Sequence, residues 1–181
     1  VGSEMCIRDR YVTLQLAQRL TATVTGLPDG SEVGTYLALD LGGTNLRVCR
    51  VRLLGQGQVQ VEQAKYRVCV MPLLEQQAYA YRSDELQTGS STALFGFIAD
   101  CIGSFLEKHN EPKKRSEPLH MGFTFSFPVQ QTGIASGNLL HWTKGFDCKD
   151  AVGRDVVQLL QEQLHEREIS VQVSALINDT V

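Results

Sequence analysis

At 181 residues, with a net charge of −3 and 43% apolar residues, the chain has the composition of one globular core, or of one domain and part of another. So mild a charge excludes electrostatic attraction to nucleic acid or anionic membrane, and no run of about 18 apolar residues exists to span a bilayer. The five scattered cysteines, Cys6, Cys49, Cys69, Cys101 and Cys148, form no CxxC pair, which points to reduced thiols in a cytoplasmic protein.

The first ten residues, VGSEMCIRDR, fit no periodic pattern and are read as a non-native tail. Leu14, Ala17, Leu20 and Val24 follow helical spacing until Gly26 and Pro28, so residues 11–34 are expected to form a leading helix and linker. TYLALD (35–40) is almost wholly apolar before its acid, which predicts a central strand buried on both faces. NLRVCRVRLL (45–54) sets Leu46 and Val48 against Arg47, then Val51 and Leu53 against Arg50 and Arg52, implying a slip near Cys49. QVQVEQAKYRV (58–68), with Val59 and Val61 alternating, completes an antiparallel meander.

The stretch 69–92 shows no clear pattern. ALFGFIADCIGSFLEKH (93–109) predicts a helix with Leu94, Phe95, Ile98, Ile102, Phe105 and Leu106 on one face. A polar loop (110–118) follows, whose Lys113-Lys114-Arg115 run reads as solvated. LHMGFTFSF (119–127) is a strand closed by Pro128, after which turns run through NLLHWTKGFD. A helix is expected near 151–167, with Asp150 as its cap and Val152, Val156, Leu159, Leu160 and Leu164 inward. ISVQVSALIND is the last strand, and the alternation of strands with helices predicts α/β layering.

Three stretches carry candidate chemistry. In LALDLGGTNLRV (37–48) a strand ends in Asp40, and two glycines let the backbone turn sharply and bring its N–H groups close to an anion. Thr44 and Asn45 add donors, and Asp40 can hold magnesium through water. The same residues also describe a tight turn with a solvated acid. In MGFTFSFPVQQTGIASGNLLHWTKGFD (121–147), Ser126, His141, Thr143 and Lys144 stand among Phe123, Phe125, Phe127, Trp142 and Phe146, as in a pocket for a small polar ligand. Phenylalanines at alternate strand positions equally describe core, and His141 reads as structural. Asn178-Asp179 at a strand tip could orient a hydroxyl and accept its proton, or simply make a turn.

Together these residues resemble the hexokinase family. LALDLGGTNLRV is similar to its first phosphate-binding motif, and MGFTFSFPVQQTGIASGNLLHWTKGF to its sugar-binding signature over nearly the full length. FIADCIGSFLEKH and INDTV fall in the family's order, so the resemblance covers roughly residues 11–181. It implies the actin-like, RNase H-like α/β fold of the sugar kinases, with residues 35–181 forming a small lobe of mixed sheet and flanking helices. It also implies ATP-dependent phosphorylation of a hexose such as glucose at its 6-hydroxyl, with the hexose and MgATP as partners. By resemblance Ser126, Thr143, Lys144, Asn178 and Asp179 contact the sugar, and Asp179 is the base for the 6-hydroxyl proton. Asp40, Gly42, Gly43, Thr44 and Asn45 match the first phosphate loop, and Lys65 a nucleotide-binding lysine. No residue is expected to ligate the metal directly.

Two departures accompany the likeness. The connection through residues 68–82 is longer than the family's, and its apolar, aromatic content suits an exposed loop poorly, so it is read as an insert from unspliced sequence. The family's second phosphate loop, adenosine-binding segment and further sugar-contacting carboxylates have no counterpart here, so the chain is expected to lack the large lobe and to be inactive alone. A non-catalytic hexose sensor is the alternative, disfavoured by the intact DLGGTN, Lys144 and Asp179. An actin-like or chaperone ATPase would have no use for the SFP…TKGF segment.

Overall fold

A computed structural model describes residues 29–68 and 83–178. The expected tail, the leading helix, nearly all of the expected insert, and Asp179 lie outside the described residues. The described residues form seven strands: β1 (Val33–Leu41), β2 (Asn45–Leu54), β3 (Val59–Arg67), β4 (Leu119–Phe125), β5 (Val129–Gly133), β6 (Ser136–Leu139) and β7 (Val171–Ile177). The helices among them are α1 (Ser83–Thr88), α2 (Ser91–Lys108) and α3 (Val156–Glu166), and a 3-10 turn lies at Lys149–Ala151.

Five strands form one mixed sheet in the order β3-β2-β1-β4-β7. The meander β1–β2–β3 is antiparallel, as its short turns require, whereas β4 joins β1 and β7 joins β4 in parallel. Parallel neighbours need a crossover, and α2 and α3 supply the helices of the two crossovers on one face of the sheet. That face carries Leu37, Leu39, Leu41, Leu46, Val48, Met121, Phe123 and Phe125, all at most 2% exposed.

The opposite face is open, and this corrects the expectation for β1. The strand is central, but Tyr36 is 40% exposed while Leu37 is 2%, so it is fully buried on one side only. The valines of β3 follow the same logic. Val59 and Val61 do alternate, but on the open face, while Glu62, Ala64 and Tyr66 turn toward the helices.

No slip occurs at Cys49, for the register runs unbroken from Asn45 to Leu53. Leu46, Val48 and Arg50 therefore share the helical face, and Arg50 is 3% exposed. A buried guanidinium must be paired. Arg50 bonds Glu62 through Nε and Nη2, and its Nη1 donates to Glu111 Oε1 at 2.7 Å and to the His109 carbonyl at 3.2 Å. Contact with that guanidinium holds the Glu62 carboxyl below its ordinary value.

Helix α2 starts at Ser90, whose hydroxyl accepts from the Ala93 N–H. Gly96, Phe97, Ala99, Cys101 and Gly103 are buried along with the predicted apolar face, so more than a single stripe is covered. Asp150 does not cap α3. Its carboxylate accepts from the Ser91 N–H and hydroxyl at 2.8 and 2.6 Å, and it lies in the 3-10 turn. Helix α3 begins five residues later than expected from 151, capped by Asp155, which accepts from the Val157 and Gln158 N–H groups. The loop cations are solvent-accessible as expected and also form ion pairs, Lys113, Lys114 and Arg115 each standing 2.7 Å from Glu107, Glu168 and Glu111 respectively.

Two further differences bear on the site. The turns after Pro128 are a hairpin, β5–β6, that packs beside β7. Strand β7 carries a bulge opposite Met121–Gly122, where Val173 pairs with Met121 and Ala175 with Gly122, leaving Ser174 as the extra residue. Among the described residues no helix is long and apolar enough to cross a membrane.

Candidate active site

The carboxyl ends of β1, β4 and β7 lie along one edge of the sheet, the usual place for ligands in open α/β folds. A polar group follows each strand: the Gly42–Asn45 turn, Ser126, and Asn178. Ser126 extends the ladder by donating its N–H to the Leu41 carbonyl at 3.2 Å, and it is 5% exposed.

The turn after β1 is closed by the Gly42 N–H, which donates to the Asn45 carbonyl at 3.0 Å. The Asn45 amide donates to Thr44 Oγ1 at 2.8 Å, and the Val68 N–H ties the end of β3 to the Thr44 carbonyl. Gly43 is glycine because of a neighbour: a Cβ added there would sit 2.9 Å from Lys144 Cβ. The expected phosphate turn and the expected sugar loop thus touch.

Lys144 itself adopts φ 55, beside Gly145 at φ 84, and the Phe146 N–H closes this turn on the Thr143 carbonyl. A left-handed lysine is uncommon and is held here by its contacts. Its Nζ donates to the Ser126 carbonyl at 2.7 Å and lies 5.3 Å from the Phe127 ring centroid. One hydrogen bond leaves two ammonium hydrogens for a ligand. Asn178 donates its amide to the Phe127 carbonyl at 2.7 Å.

The aromatics serve as foundation and not as pocket wall. Phe123, Phe125 and Phe127 are fully buried, and Trp142 stacks on Phe146 with centroids 5.5 Å apart. Trp142 Nε1 donates to the Cys148 carbonyl at 2.7 Å, fixing the loop that carries Thr143 and Lys144. The Cys148 thiol is pushed up to about 11 by burial, with Asp150 and Asp147 adding to the effect, so it is no nucleophile. His141 is exposed.

Asp40 lies on the open face, in a row that runs Lys65–Arg47–Asp40–Thr124–Ile177 across the sheet. Arg47 Nη1 stands 3.9 Å from the Asp40 carboxylate. Lys65 is two strands from Asp40, roughly 10 Å at ordinary strand spacing, so the structure puts it on the same face without bringing it into the turn. Arg47 was absent from the sequence-derived set. The signal was available, since Asp40 and Arg47 flank the turn symmetrically and a tight hairpin pairs them.

Arg47 and Lys65, side by side in the open-face row, put positive charge beside the turn, and Lys144 packs against Gly43 from the other loop. Among the described residues no group of three or more His, Cys, Asp or Glu gathers to hold a metal. A magnesium ion here would be held by Asp40 through water, with substrate oxygens completing its shell, which is how this hard ion is commonly held.

Comparison with known proteins bears on these features. The hexokinase family profile matches residues 9–181. The chain is 45% identical to the hexokinase of Emericella nidulans over 158 residues, covering 87% of this chain and 29% of that protein. It is 46% identical to the Kluyveromyces lactis hexokinase over 157 residues (87% and 29%), and 42% identical to glucokinase-1 of Saccharomyces cerevisiae over 170 residues (90% and 31%). Among solved structures, the Schistosoma mansoni hexokinase complexed with glucose superposes with a TM-score of 0.68 at 39% identity, over 86% of this chain and 31% of that one. The chain thus spans less than a third of the length of these relatives.

Proposed function

The chain belongs to the hexokinase family, and from that premise we propose that it forms the small lobe of an ATP-dependent kinase that phosphorylates a hexose, glucose foremost, at the 6-hydroxyl. The observation that carries this reading is the contact between Gly43 and Lys144, which joins the phosphate turn to the sugar loop. A sensor that only bound sugar would have no need of that junction.

In this reading Ser126, Thr143, Lys144 and Asn178 hold the sugar hydroxyls and fix its orientation, so that much of the entropic cost of reaction is met on binding. MgATP, when bound, supplies the phosphoryl group. The Gly42–Asn45 turn with Arg47 and Lys65 balances phosphate charge, and Asp40 reaches the metal through water. Asp179 accepts the 6-hydroxyl proton as the sugar oxygen bonds to phosphorus and the bond to the departing diphosphate breaks.

The test is an assay of the full-length protein that carries this chain, given glucose and MgATP. Stoichiometric glucose 6-phosphate and ADP are expected. Tight glucose binding without phosphoryl transfer would favour the sensor instead.

A further inference from the structure

Hairpin β5–β6 has no part in the chemistry just described, yet it is anchored on the strand that carries Asn178. Strand β7 lies at the outside of the sheet, so its outer edge has peptide groups that β4 cannot pair. At Leu176 both are engaged by the hairpin. The Leu176 N–H donates to the Ile134 carbonyl at 2.7 Å, and its carbonyl accepts from Gln131 Nε2 at 3.0 Å. The same amide nitrogen donates to the Gly133 carbonyl at 3.1 Å, so one side chain clips the hairpin turn to β7.

The fit is close. A Cβ on Gly137 of β6 would lie 2.7 Å from Leu176 Cδ2, so the hairpin presses directly on this residue. From the other side Leu176 pairs with Phe123 of β4, and two residues on, Asn178 is fixed to the Phe127 carbonyl. Leu176 is therefore the last point at which the strand is gripped from both edges before the site.

We propose that Gln131 is a positioning residue for the kinase reaction: by holding the Leu176 carbonyl it fixes the strand tip that presents Asn178 and, next in sequence, Asp179. This rests on the kinase reading above. Its chemistry is specific to a donor. Glutamate has the same shape, but its carboxylate only accepts and would face two carbonyl oxygens. Alanine leaves the Leu176 carbonyl without this partner. Nucleotide contacts from the Gly42–Asn45 turn and the sugar contact from Lys144 stay in place, so the loss falls first on alignment, with a smaller effect on sugar binding through Asn178.

The experiment compares Gln131→Ala, Gln131→Glu and Gln131→Lys in the full-length protein, with kcat normalised to folded protein by active-site titration. A misplacement of about 1 Å can cost about 100-fold, so a kcat drop of about tenfold or more is expected for Ala and Glu, with KM for ATP within about twofold and a rise in KM for the sugar smaller than the loss in kcat. Gln131→Lys, which keeps a donor, is expected to recover a substantial part of the rate. Wild-type kcat in the folded Glu variant, or a loss that disappears on normalisation, overturns the proposal while leaving the kinase reading intact. Absence of phosphorylation by the unsubstituted protein overturns both.

Discussion

Asp179 bears the sharpest prediction for a single residue. Replacing it by alanine in the full-length protein should lower kcat by about 10²–10⁴-fold, the usual contribution of a general base, while glucose affinity measured by calorimetry is largely kept. Gly43→Ala tests the junction of the two loops. The added methyl would meet Lys144 Cβ at 2.9 Å, so we expect a destabilisation of about 1–3 kcal/mol in chemical denaturation, with a raised KM for sugar as Lys144 is displaced. The turns after Asp40 and around Lys144 were legible because their glycines mark where the backbone bends sharply. Arg50 was not. A charged residue in an alternating strand reads as outward, and only the carboxylates of Glu62 and Glu111, 12 and 61 residues away, let it face in.

Among the elements, β2, β3 and the end of α2 are joined by that arginine, and the junction has a pH dependence. Hydrogen bonding to Arg50 depresses the Glu62 carboxyl below its ordinary 4.5. A depressed carboxyl stabilises the fold above its unfolded pKa, and the contribution is lost as pH falls through the folded value. Glu62→Gln should therefore flatten the acid limb of a stability–pH profile, read from urea midpoints on descending pH, and leave its shape near neutrality unchanged. At α3, Asp155→Ala should cost about 1 kcal/mol, because two N–H groups of the first turn lose their acceptor. Asp150→Ala should instead loosen the start of α2, to which its carboxylate is bound. The misplaced cap shows why helix starts were harder to read than helices. Both aspartates precede the apolar run, and only tertiary placement decides which one caps it.

For the whole molecule, the unequal faces of the sheet matter most. The meander's order was readable from its turns and alternation, and the parallel additions from the intervening helices. Which face would be covered was not, because β1 is apolar on both. Tyr36, Val51 and Val61 lie in one cross-strand row on the open face, next to Leu53 paired with Val59. Tyr36, Val59 and Val61 are 40%, 51% and 50% exposed. A patch of this kind drives association. We expect the 181-residue chain on its own to self-associate with rising concentration in sedimentation velocity, and Val59→Lys with Val61→Lys to suppress this.

The bulge at Ser174 sets the phase of everything after it. Side chains along a strand alternate with a period of two, so a single additional residue is a half-period shift. Before it, the odd-numbered Val171 and Val173 face the helices; after it, the even-numbered Leu176 does, and Ile177 covers Gly122 on the open side. Taking one residue out of this stretch would exchange the parities and send Asn178 to the wrong side of the sheet with the rest of the sequence unaltered. The strand tip is thus aimed by counting, and its composition alone would not place it.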